Sequence, residues 1–161
     1  MAEAFAGRVR AFQDPRLREQ DWGHLRGPEA TQSIKRERDE YGTFWYRFPD
    51  GESGADVFDR VSLFLESLHR NFRRHSFPRN VVIVTHGLTM RLFVMRWFRR
   101  SVEEFESWAN PGNCAYRVME RQGSRYVLTT AFDLAPTDGD GAGDASTSRQ
   151  DDMGFGFRTG D

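Results

Sequence analysis

The order of elements predicts an α/β sandwich with a mixed sheet. Three observations carry this. Val57, Val61, Phe64, Leu65, Leu68 and Phe72 recur at helical spacing. Val81-Val82-Ile83-Val84 is a continuous β-branched run of the kind found in strands covered on both faces. Cys114 to Glu120 and Arg125 to Phe132 alternate around Gln122-Gly123 as the two arms of a hairpin.

Taken from the start, residues 1–13 are a short lead, read as a small helix or the end of a strand. Asp14-Pro15 is a turn signal. Leu17 to Gly27 reads as a loop punctuated by Gly23 and Gly27, with Pro28 following. The very polar stretch Glu29 to Tyr41 predicts an exposed helix. Pro49-Asp50-Gly51 breaks the chain. Ser53 with Asp56 three residues on is then a capping-box pattern for the long helix that carries the 57–72 stripe. That helix ends in Arg70, Arg73, Arg74 and His75, cations suited to a helix C-terminus, before Pro78. Leu88 to Phe98 reads as a helix packed back on the Val81–Thr85 strand. Ser101 and Glu104 predict a second capping box and a short helix reaching Trp108, and Asn110-Pro111-Gly112 a turn. Residues 133–161 are rich in Asp, Gly, Ser and Thr and read as a disordered acidic, glycine-rich tail.

The bulk numbers narrow the function classes. The 161 residues carry a net charge of -1, so a polyanion is not an expected partner. Mean hydropathy is low, -0.70, to which the tail contributes, yet fourteen Phe and four Trp supply ample core. The single cysteine, Cys114, excludes an internal disulfide and any multi-cysteine metal site, and suits a reducing compartment. No stretch approaches the ~20 apolar residues of a membrane span, and no signal-peptide pattern opens the chain. A cytoplasmic protein without nucleic-acid or membrane partners is expected, with oligomeric state open.

The residue with the best claim to chemistry is His86. It ends an apolar strand, precedes Gly87, and stands before a helix, where free N–H groups and the helix dipole favour an anion. It reads either as a donor to a phosphoryl oxygen or as a satisfied histidine at a strand end. Gly87 leaves room for a ligand against the backbone. Glu19, near Trp22, reads as a proton donor or as a solvated carboxylate among Arg16, Arg18 and Asp21; composition alone favours the second. Glu52 is expected to serve the helix that follows it, and His24, His69 and His75 to lie on the surface. The arginines at 96, 99 and 100 read as a solvated helix end, and Phe44, Trp45 and Tyr46 mostly as core. His86 and Glu19 have no third ligand at a recognisable spacing, so no metal is expected, and no cofactor.

Three segments, in order, resemble the histidine phosphatase superfamily, the phosphoglycerate mutase-like proteins. Leu17-x-Glu19-x-x-x-Gly23-x-x-x-Gly27 is similar to the motif that holds the family's proton donor. Gly51-Glu52-Ser53 with its amphipathic helix resembles the Gly-Glu-Ser helix start. Val81 to Gly87, with Arg91 in the next helix, resembles the strand and His-Gly that supply the second active-site histidine. The likeness runs from Asp14 to Phe132, a partial domain at 14–132. It implies a three-layer sandwich of the phosphoglycerate mutase-like type. It also implies a substrate that is a phosphorylated small molecule or phosphoprotein, handled through a phosphohistidine. Glu19 would be the general acid or base, His86 would stabilise the transferring phosphoryl group, and Gly87 would offer a backbone N–H.

Arg-His-Gly, the family's nucleophile segment, occurs nowhere in the chain, and neither does the Ser-x-Leu-x-Arg run that adds a clamping arginine. The resemblance implies that the N-terminal strands are missing, and that this chain is the C-terminal part of such an enzyme and inactive alone. The alternatives are a non-catalytic pseudo-phosphatase module that binds a phosphorylated ligand or protein partner, and a fragment with no function of its own.

Overall fold

Residues 10–25 and 27–135 are described in the computed structural model of the chain. The expected tail lies outside them apart from its first three residues, as does most of the N-terminal lead. Asp14 caps a 3-10 turn at Pro15–Leu17. Four α-helices follow: α1 (Gly27–Tyr41), α2 (Gly54–Phe72), α3 (Gly87–Phe98) and α4 (Val102–Ser107). A hairpin of β1 (Met119–Gln122) and β2 (Arg125–Leu128) comes last. The chain divides into two units, Met1–Glu106 and Ser107–Asp161. No described helix is long and apolar enough to cross a membrane.

In the first unit, α2 is the organising helix. Its stripe places Val57, Val61, Leu65 and Leu68 in the core, with Val57 and Val61 fully enclosed. Each such side chain contributes about 1.5–3 kcal/mol of burial. Helix α3 answers with Leu92, Phe93, Val94 and Met95. An aromatic cluster closes the joint: Trp97 stacks on Phe93 at 5.7 Å and meets Phe72 edge-on at 6.1 Å. His69 is drawn into it, 5.0 Å from Trp97, so it is half-buried rather than a surface residue. Burial, with Arg96 nearby, pushes the His69 imidazole below its usual value. Phe44 and Tyr46 join the core beside Phe48 and Phe105, whereas Trp45 stays exposed. Helix α1 buries none of its residues and stops at Gly42, whose φ of 102° only glycine adopts freely.

The start of α2 shows how local chemistry fixes an element. The Ser53 hydroxyl accepts from the Asp56 N–H at 3.2 Å. The Asp56 carboxylate in turn accepts from the Ser53 N–H and hydroxyl at 2.7 Å each, and from Arg47 at 2.7 Å. Burial pushes the Asp56 carboxyl up, but these donors outweigh it and hold it at about 2, against an ordinary 3.8. A carboxyl held low in the folded chain stabilises above the unfolded value and loses that contribution as pH falls. The thermal midpoint is therefore expected to drop between pH 4 and pH 2 more steeply in the native chain than in Asp56→Asn, as a calorimetric pH series would measure.

Val81–Thr85 departs from the sequence expectation. It has no regular secondary structure and, among the described residues, joins no sheet, and Val82 and Val84 are 86% and 67% exposed. A run expected to be covered on both faces instead presents its side chains to solvent. No described strand lies beside it to supply ladder hydrogen bonds, which is what a buried strand requires. The sheet of the described residues is the two-stranded hairpin of the second unit, so the three-layer sandwich is not formed by these residues alone.

That hairpin is antiparallel, Met119 opposite Leu128 and Gln122 opposite Arg125, turning through Gly123 at φ 63°. Its strands are shorter than the alternating pattern predicts. Within the same unit, Trp108 stacks on Phe132 at 5.0 Å and the Arg117 guanidinium lies 4.5 Å from the Phe132 ring.

Candidate active site

The candidate site is assembled from three sequence-distant pieces, residues 16–23, 51–60 and 85–91. The first is an extended loop after the 3-10 turn. Arg16 pairs with Asp14 at 2.6 Å, and that hydrogen bond holds the Asp14 carboxyl below its usual value. The loop is zipped to the second piece by backbone and side chain together. The Glu52 N–H donates to the Asp21 carbonyl at 2.8 Å, the Asp21 N–H to the Glu52 carboxylate at 3.0 Å, and the buried Gln20 amide to the Glu52 carbonyl at 2.9 Å. Gly51 is required there. A Cβ at that position would sit 2.5 Å from the Asp21 carbonyl oxygen and 2.8 Å from the Gly23 nitrogen. Trp22 stacks on Phe48 at 4.7 Å, with Lys35 and Arg38 of α1 near its ring.

Glu52, just before α2, makes a dense set of contacts. Its carboxylate, 15% exposed, accepts from Arg18 and twice from Arg60 at 3.1 Å, in addition to the Asp21 N–H. Arg60 is itself buried and donates onward to the carbonyls of Arg16 (2.6 Å) and Glu19 (3.1 Å). The motif reading passed over Arg60. Its signal was a charged residue on the inward stripe of α2, three residues after Val57 and one before Val61.

The third piece delivers His86 as the N-cap of α3, with extended backbone (φ -108°, ψ 161°) and no capping bond from its ring. Gly87 is the first helical residue. The ring Nδ1 lies 3.5 Å from the Glu19 Oε2, and the two side chains are 50% and 61% exposed. The two residues singled out from sequence as carriers of the chemistry therefore stand side by side, open to solvent, at the end of α3 where backbone N–H groups lack intrahelical partners. Arg91 does not join them. It is buried one turn further on, its Nη2 donating to the Phe105 carbonyl at 2.7 Å and its guanidinium 4.3 Å from the Phe105 ring. Burial pushes it down to about 10, so it remains a cation at neutral pH. His24 and His75 are exposed.

Comparison with known proteins supplies the family. The histidine phosphatase superfamily (branch 1) matches residues 1–134. The chain belongs to that superfamily. Among curated relatives of this histidine phosphatase chain, the phosphoglycerate mutase-like protein AT74 of Arabidopsis thaliana is 54% identical over 120 residues, 70% of this chain and 38% of its own length. The broad-range acid phosphatase DET1 of Saccharomyces cerevisiae is 48% identical over 128 residues, 76% of this chain and 38% of its length. The Arabidopsis protein AT74H is 51% identical over 111 residues, 65% of this chain and 40% of its length. The chain thus spans about two fifths of the length of each of these relatives.

Proposed function

We propose that this chain carries the acid-and-second-histidine half of a phosphomonoesterase site. A phosphoryl group would bind at the N-terminus of α3, against His86 and the Gly87 N–H. The observation that carries the reading is the meeting of Glu19 and His86 at 3.5 Å on that helix end. With Nδ1 turned toward Glu19, Nε2 is the nitrogen left to face a phosphoryl oxygen, to which it donates in the form that carries a proton on both ring nitrogens, while the helix end favours the anion. Glu19 is placed to give a proton to the departing oxygen of the ester.

The substrate class is a phosphorylated small molecule or phosphoprotein. Hydrolysis is favoured over transfer by the likeness to a broad-range acid phosphatase, and a cytoplasmic setting suits the free thiol of Cys114. The 161 residues contain no Arg-His-Gly, so within them nothing plays the nucleophile, and Arg18 and Arg91 are engaged by Glu52 and Phe105. Phosphoryl transfer depends on positioning and on countercharge. The reading is therefore that the chain by itself binds the phosphoryl group and does not turn it over.

Orthophosphate titration by calorimetry tests this. The native chain is expected to bind, and His86→Ala to bind more than tenfold more weakly, since a charge-assisted hydrogen bond contributes about 1.5–3 kcal/mol. Binding indifferent to His86 would overturn the site. Release of p-nitrophenol from its phosphate ester by the 161-residue chain would overturn the inert half-site.

A further inference from the structure

The backbone of the Glu19 loop is held in an unusual way. Four consecutive carbonyls are each captured by a side-chain donor. The outer two, Arg16 and Glu19, accept from the Arg60 guanidinium at 2.6 and 3.1 Å. The inner two accept from threonine hydroxyls: Leu17 from Thr85 at 2.7 Å and Arg18 from Thr89 at 3.1 Å. Thr85 immediately precedes His86, and Thr89 follows it within the first turn of α3, with no exposed surface. A carbonyl only accepts, so both hydroxyl protons are committed to the loop. Thr89 is telling, because a helical threonine commonly turns its hydroxyl to the carbonyl one turn back. Here the hydroxyl reaches across to another segment instead.

We propose that Thr85 and Thr89 are positioning residues: by bracketing His86 and gripping the carbonyls just before Glu19, they set the separation between the carboxylate and the imidazole. They touch no reacting atom. Arg60 fixes the loop to α2, and the two threonines tie it to the segment that carries His86. The Glu19 and His86 side chains are both substantially exposed and meet at 3.5 Å, longer than a tight hydrogen bond, so their spacing is inherited from the backbone beneath them. The inference rests on the functional reading above only in giving that spacing a purpose.

The experiment is an NMR double-mutant comparison on the 161-residue chain with labelled histidine, alongside orthophosphate titration. In the native chain, Glu19→Gln is expected to move the His86 ring signals. In Thr85→Val and Thr89→Val, which keep shape and lose the hydroxyl, that perturbation is expected to shrink by at least half. Orthophosphate affinity should fall by about threefold to tenfold, the worth of one or two hydrogen bonds. Thr89→Ser should restore both readouts, which a purely volumetric role would not permit. If Thr89→Val does not fold, Thr85→Val decides, because its hydroxyl is only part-buried. A full Glu19 effect on His86 in a folded valine variant would overturn the proposal. A native chain that binds no orthophosphate yet loses the Glu19–His86 coupling in the valine variants would refute the half-site and support the positioning role. Binding through His86 with coupling untouched would do the reverse.

Discussion

Replacing Glu52 with leucine is expected to destabilise the fold by about 3–5 kcal/mol, the usual consequence of leaving one partner of a buried ion pair without its counterion. Glu52 is shielded, and its carboxylate collects Arg18, Arg60 and the Asp21 N–H. Removing it strands the 10%-exposed Arg60 guanidinium with only two carbonyls for company. It also removes the Asp21 N–H to carboxylate bond, leaving the backbone bond from the residue 52 N–H to the Asp21 carbonyl to hold the two segments together. Against a total stability of about 5–15 kcal/mol for a typical domain, the variant would lose a large share of its margin, which urea denaturation would show. The double variant Glu52→Leu/Arg60→Met should recover part of the loss, since two apolar residues in a buried pair's place are often tolerated. A loss below about 1 kcal/mol, the scale of an exposed pair, would mean that the network is solvated in solution.

The second large effect is expected from Phe48→Ala, at about 3–5 kcal/mol. Phe48 has no exposed surface, stacks on Trp22 at 4.7 Å and meets Tyr46 edge-on at 5.5 Å. The lost burial is only part of the effect. Trp22 belongs to the Glu19 loop, and Phe48 is the surface it rests on. The cavity would therefore loosen the loop, and hydrogen exchange at residues 20–23 should accelerate more than at the core of α2. Denaturant unfolding with amide exchange measures both. Exchange that rises evenly throughout would show that Trp22 does not depend on Phe48 for its place.

These effects explain which parts of the molecule were readable from sequence. The helices were legible because their signals are local. The Ser53–Asp56 and Ser101–Glu104 capping boxes form as the spacing predicts, and the 57–68 stripe faces inward. His86 and Glu19 were found because a histidine before a glycine and a helix, and an acid in a glycine-punctuated loop, have recognisable neighbours in sequence. Arg60, Thr85 and Thr89 were not found. Their role is to grip main-chain carbonyls dozens of residues away, and a carbonyl leaves no trace in the amino-acid alphabet. Val81–Val84 shows the opposite case. Its composition predicts a buried strand, but a strand's ladder and burial belong to its neighbours, and no residue type within the run encodes whether they are there.

The four captured carbonyls have one more consequence. The grip on the Glu19 loop reads main chain alone, so the loop's path is indifferent to which side chain projects from position 19. Glutamine installed there would ride the same backbone and reach the same imidazole, whereas aspartate, one methylene shorter, would stop short of it. Position 19 is in this sense a socket. The scaffold holds it still, and the group plugged into it can be exchanged without rebuilding what lies underneath.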